Sequence, residues 1–240
     1  MIGRRIADVP PAWRAALCAV VLSAAFPSGA RAQVYLGSTA PHRGSWEVSG
    51  GATWSDGYDL GTRSADLTRN TGTGTGPFEL FTADTRVATT TGALGRIGVY
   101  LSRSVALEGG VQFSRPVVSS RLTNDAEQAD DTTSTETISR YVFDGAVVFH
   151  LTGLSFAGGR GVPFLTGGAG YLRELHEQDE LIETGRTYHG GAGLKLWFGQ
   201  GARRFGVRAD VGVAMRDGGF DFSEDRRTVP TAGFSLVYLF

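Results

Sequence analysis

Phe205-Gly-Val-Arg-Ala-Asp-Val-Gly-Val-Ala-Met215 decides how the rest of the chain is read. Phe205, Val207, Ala209, Val211, Val213 and Met215 take every second position, and Gly206, Arg208, Asp210, Gly212 and Ala214 take the others. A period of two is a strand with one apolar face, because successive side chains point to opposite sides of a sheet. Across the short Gly-rich stretch 199–203, Tyr188 to Phe198 repeats the pattern, with Lys195 and His189 on the non-apolar face. Further out, 46–54, 105–113 and 232–240 alternate in the same way. Three segments are less regular. In 90–101, Leu94 and Tyr100 fall on the polar face, and in 138–151, Val142 and Val148 do so. In 162–172 the adjacent Phe164 and Leu165 leave the face undecided.

The connections between these eight segments alternate between short and long. Residues 102–104, 152–160 and 199–203 are short. The stretches 56–85, 117–137, 173–185 and 217–227 are long and polar. Every second connection therefore lies at the same end, the layout of an antiparallel up-and-down barrel. The expected fold is all-β: a transmembrane barrel of eight strands over 45–240. Ten strands would result if Phe78 to Phe81 begins an extra hairpin.

The face opposite the apolar one is mostly Gly, Ser, Thr and Ala, which suits the narrow interior of an eight-stranded barrel. The apolar face then points to lipid. Trp46 and Trp54 share it eight residues apart, about 20 Å along the membrane normal. Tyr141 with Phe149 repeats that spacing and Tyr188 with Phe198 comes close, so these six read as two interfacial girdles.

Residues 1–32 have the layout of a secretory signal peptide: Arg4, Arg5 and Arg14, then an apolar run from Ala15 to Phe26, then Ala30-Arg-Ala32. Residues 33–44 read as a periplasmic lead-in. The single cysteine, Cys18, lies inside the apolar run, so the processed chain is expected to have no thiol chemistry. Formal charge is -1 for the whole chain. No basic stripe appears, which gives nucleic-acid binding no support. The Thr-Gly repeat at 70–76 lacks the Lys and the strand–helix context of a phosphate loop.

Strand direction places seven charged side chains inside the barrel. Glu108, Lys195, Arg208, Asp210 and Arg96 lie a few residues above the periplasmic turns, Glu47 near that rim, and Asp144 higher. Four acids face three bases, with Lys195 across one turn from Arg208 and Asp210, and Arg96 across another from Glu108. Buried charges need partners, so the expected arrangement is a salt-bridge plug filling the lumen. The alternative is a polar gate. His150 falls at the periplasmic end and His189 near the outer end. His176 sits among Glu174, Glu177, Asp179 and Glu180. None forms a spaced catalytic or metal-binding set, and no cofactor is expected.

The chain ends in Phe234-Ser-Leu-Val-Tyr-Leu-Phe240, and it contains the hairpin Gly98 to Phe113 and the Gly-rich Phe164-Leu-Thr-Gly-Gly-Ala-Gly-Tyr171. On these residues it resembles the small outer-membrane β-barrel superfamily of OmpA-, OmpX- and OmpW-like proteins. The resemblance implies a monomer in the bacterial outer membrane, with lipid as its surroundings. It also implies that Phe234, Leu236, Tyr238 and Phe240 form the signal read by the barrel-assembly machinery. No peptidoglycan-binding segment follows, so cell-wall tethering is not expected. The leading functional expectation is a non-enzymatic barrel with a plugged interior and long extracellular loops. A narrow OmpW-like porin is the alternative, and an outer-leaflet lipid-modifying enzyme comes third.

Overall fold

The computed structural model describes residues 41–67, 78–125, 130–176, 182–199, 203–218 and 226–240, less the side chains of 66–67 and 78–79. The proposed signal peptide, most of the lead-in, the Thr-Gly repeat and the acidic residues at 177–180 lie outside them.

Twelve strands form: β1 (Trp46–Ser55), β2 (Tyr58–Leu67), β3 (Phe78–Val87), β4 (Thr90–Tyr100), β5 (Val105–Ser114), β6 (Val117–Thr123), β7 (Thr132–Thr137), β8 (Ser139–His150), β9 (Gly161–Leu175), β10 (Ile182–Phe198), β11 (Arg204–Gly218) and β12 (Arg227–Leu239). Eight of them close an antiparallel barrel in the order β1-β12-β11-β10-β9-β8-β5-β4. First and last strands are neighbours: Glu47 pairs with Leu239, and Trp46 and Phe240 exchange backbone hydrogen bonds of 2.8 and 2.9 Å. Closure removes both sheet edges, which a span through hydrocarbon requires.

The tight turn after β4 has a local cause. The Ser102 hydroxyl accepts hydrogen bonds from the backbone N–H groups of Ser104 and Val105, at 3.2 and 3.1 Å. Apolar alternate residues of the barrel strands face outward. Ile97, Val111, Phe143, Val211, Phe234 and Leu236 are all exposed, around the barrel wall. A contiguous apolar belt of this extent on a monomer marks a lipid-facing surface.

Inward-facing backbones approach closely. A Cβ on Gly51 would lie 2.0 Å from the Phe234 carbonyl, whereas one on the outward Gly145 would meet nothing within 4 Å.

The irregular segments resolve against the simple rule that apolar means outward. Leu94, Tyr100, Val148 and Phe164 all point inward and are buried, while Leu165 faces out. Phe164 lies over its cross-strand partner Gly193, where any Cβ would sit 2.4 Å from the ring. Two of the long connections are also not simply polar loops. β2, β3, β6 and β7 form a second four-stranded sheet in the order β2-β3-β6-β7. Phe78–Val87 is thus a strand of this sheet, and the barrel keeps eight strands. A small core of Leu60, Val87, Val118 and Ile138, with Tyr58 packed against it, holds the sheet together. The kink from β1 into β2 is tied by Asp56, whose carboxylate accepts from Gly57 N–H at 2.8 Å and Thr89 hydroxyl at 3.1 Å.

Candidate functional site in the barrel lumen

The lumen is arranged in tiers along the axis. Nearest the short turns is an apolar floor of Tyr100, Ala106, Val148, Phe164, Trp197, Val237 and Leu239, all buried. Each lies on the inward face within a few residues of a strand end. Arg204 covers Trp197 with its guanidinium 5.0 Å from the ring centroid. His150 belongs to this tier. Its ring stacks on Tyr100 at 5.0 Å, and its Nε2 lies 3.3 Å from the Tyr100 hydroxyl.

Above the floor lies a charge network. Lys195 is fully buried, with its Nζ 2.7 and 2.8 Å from the two Glu47 carboxylate oxygens and 3.5 Å from Glu108. Glu47 also accepts from the Tyr100 hydroxyl at 2.8 Å. Arg208 Nη1 donates to both oxygens of Glu108 at 2.8 Å, and its Nε donates to Asp210 at 2.9 Å. Arg96 approaches Asp210 at 3.6 Å. The guanidinium of Arg208 and the ammonium of Lys195 sit over the Phe164 ring at 4.5 and 5.5 Å. Such pairing offsets the large cost of removing charges from water, and the aromatic face adds cation–π attraction.

The seven charges named from the sequence do not form one network. Lys195 is the register partner of Arg208, but the two are linked through Glu108. Arg96 reaches Asp210, not the expected Glu108, because its register partner on β5 is Gly110. Asp144 stands apart beside His189, with Nε2 at 3.5 Å.

Higher still is a cavity of about 80 Å³, with Arg96 and Asp210 at its base and Arg140 and Arg216 toward the end away from the short turns. A smaller void of about 40 Å³ borders Arg96, Asp144, His189 and Arg208. Arg140, buried, donates to Glu174 at 2.6 Å and to the Tyr58 hydroxyl at 3.0 Å. Arg216 lies over the Tyr58 ring at 5.5 Å. Tyr58 belongs to β2, so the second sheet reaches the two arginines at this end of the cavity. Arg227 adds hydrogen bonds to the carbonyls of Asp59 and Leu60. At the same end, His176 Nδ1 is 2.7 Å from Glu136 of β7, and its Nε2 is 3.9 Å from Glu183. Burial pushes the Glu183 carboxyl above its usual range, with His176 opposing that shift.

Arg140, Arg204 and Arg216 were not singled out in the sequence. Parity identifies them: Arg140 shares a face with Asp144, and Arg204 and Arg216 share one with Arg208 and Asp210. The girdle residues all lie on the outward face. Trp46, Phe149, Tyr188 and Phe198 are exposed, while Trp54 and Tyr141 are partly covered. Phe234 and Leu236 of β12 face outward and are exposed, as is Phe240 just beyond the strand.

No family model matches the chain. No curated protein matches it either. Among solved structures, it is similar to the outer membrane protein OprG from Pseudomonas aeruginosa. The TM-score is 0.51 at 10% identity, over 84% of this chain and 99% of that one. At this identity the match shows the fold alone: this chain is built as a small eight-stranded antiparallel β-barrel. Outer membrane protein AlkL, solved in DMPC bilayers, aligns over 85% of this chain and 93% of its own, at 16% identity and a TM-score of 0.34.

Proposed function

We propose that this chain is an integral barrel of the bacterial outer membrane that does not conduct along its axis and acts, without catalysis, through its extracellular face. The observation that carries this reading is the paired charges and close-packed aromatics of the lower lumen. Lys195, Arg208, Glu47 and Glu108 are mutually paired, and the floor of Tyr100, Phe164 and Trp197 lies beneath them. Opening a path would require breaking buried ion pairs and displacing close-packed aromatics together. The lipid-facing belt and the closed sheet support a membrane setting. The ordered sheet of β2, β3, β6 and β7 supports a surface role better than unstructured polar loops would. His150 and His189 lie on the lumen side of the wall, out of reach of an outer-leaflet lipid, which argues against a lipid-modifying activity. The outward β12 residues suit handling by the assembly machinery, and OmpA-, OmpX- or OmpW-like kinship remains part of this reading.

Planar bilayers containing the purified barrel test it. The expected record is free of steady unitary currents, and liposomes should not swell in small sugars or amino acids. A steady large conductance rejects the proposal.

The second reading, a narrow solute transporter, draws on the polar cavity above Arg96 and Asp210. In it the lower charges form a gate. Liposome swelling that Asp210→Ala abolishes would favour it, and a complete lack of permeation removes it.

A further inference from the structure

The upper cavity holds more cationic hydrogen-bonding capacity than its own carboxylates use. Asp210 is shared: Arg208 holds one oxygen at 2.9 Å, and Arg96 lies 3.6 Å from the other. Arg96 Nη1 is buried without a hydrogen-bond partner. At the other end of the same cavity, Arg216 Nη1 is also buried and unpartnered. Arg140, next to it, is already committed to Glu174 and Tyr58. Two guanidinium groups, one at the base and one toward the mouth, thus carry unpartnered N–H donors in the lining of one cavity. The hydroxyls of Thr90 and Thr187, both buried, line it as well.

Guanidinium forks match the paired oxygens of carboxylates and phosphates, and a charge-assisted bond in a screened lumen is stronger than one in water. A buried, unpaired donor is a penalty that an anion would relieve. Size sets the ligand class. A cavity of about 80 Å³ is several times the roughly 10–15 Å³ that a single water requires, which leaves room for a compact anion.

We propose that the upper lumen binds a compact oxyanion of three to five heavy atoms, a small carboxylate or inorganic phosphate, in the cavity lined by Arg96 and Arg216. The site is a dead end, because the charge network and the floor lie below it. It does not depend on the non-conducting reading: a gated barrel would hold the same anion. Current recordings on the same preparation therefore fail or succeed separately from binding.

Calorimetric titration of the full-length barrel in detergent, with sodium acetate and with inorganic phosphate at constant ionic strength, tests the site. At least one of the two probes should bind saturably at one site. Arg216→Gln and Arg96→Gln should each weaken that binding at least tenfold. Arg203→Gln, exposed at the opposite end, should leave it unchanged. Ala214→Leu fills the cavity without altering a charge and should abolish binding. A shift in gel migration on boiling certifies that each variant has folded, so Ala214→Leu decides the matter if an arginine variant fails. Mutual competition would identify shared oxyanion chemistry, and binding of one probe alone would name the class. No saturable binding of either, or binding that survives both Arg216→Gln and Ala214→Leu, overturns the proposal.

Discussion

Replacing Lys195 with methionine keeps the aliphatic stem and removes only the ammonium. That ammonium is the sole cation paired with Glu47 among the described residues, at 2.7 and 2.8 Å. Glu108 loses a 3.5 Å contact but keeps both bonds from Arg208. The cost is therefore chiefly that of stranding Glu47, which retains only the Tyr100 hydroxyl bond. Breaking a buried pair in this way costs about 3–5 kcal/mol. For a urea dependence of about 2 kcal/mol/M, the unfolding midpoint in vesicles should fall by roughly 1.5–2.5 M. Adding Glu47→Gln removes the second charge, and the amide can still accept from Tyr100. The double variant should then recover to within about 1 kcal/mol of wild type, since well-packed neutral replacements of buried pairs are often tolerated. The coupling energy from the cycle should exceed about 2 kcal/mol. Urea unfolding followed by tryptophan fluorescence provides all four corners. A single variant within about 0.5 kcal/mol of wild type, or a double variant as unstable as the sum of the singles, would refute the reasoning.

Phe164→Ala removes the ring beneath Lys195 and Arg208 and should cost about 3–5 kcal/mol in urea. It should also introduce small, flickering currents that the wild type lacks. Gly51→Val places a side chain where a Cβ already collides with the Phe234 carbonyl at 2.0 Å. No heat-modifiable band is expected for it. Gly145→Val meets only lipid and should fold normally on the same gel. Arg140→Gln leaves Glu174 buried without its 2.6 Å partner and releases Tyr58. Limited proteolysis should then cut within 56–89 faster while the barrel core stays resistant, and an unchanged cleavage rate would mean that the contact is dispensable.

The barrel was legible because its two solvents are opposite in kind. Where a strand crosses lipid, as β11 does, the outward face must be apolar and the inward face small or polar. Parity alone then sorts Val211 from Asp210. That logic weakens where neither face meets its usual surroundings. At the floor the interior is closed to water, so apolar side chains are favoured inside too. Tyr100, Val148 and Phe164 there appeared as errors of alternation. Leu94 and Val142 are exceptions above the floor, Leu94 buried inward and Val142 lining the upper cavity. The β6–β7 hairpin shows the opposite weakness. Thr132 to Thr137 is polar on both faces, so no period announces a strand. Its formation depends on partners such as β6 and on the core of Leu60, Val118 and Ile138.

The eight barrel strands, the face each turns outward, and which charges share the lumen follow from the order of residues, because a period of two is a local property of the chain. The pairing of those charges does not. Glu47 and Lys195 are 148 residues apart and meet at 2.7 Å because closure brings β1 and β10 across the same narrow lumen. Arg96 selects Asp210 over Glu108 for the same reason. The unsatisfied donors of Arg96 and Arg216, and the contact of Arg216 with the Tyr58 ring, exist only once the sheet has closed and β2 has met its end. Distances across a lumen are set by strand tilt, register and curvature, and none of these is written in any one segment.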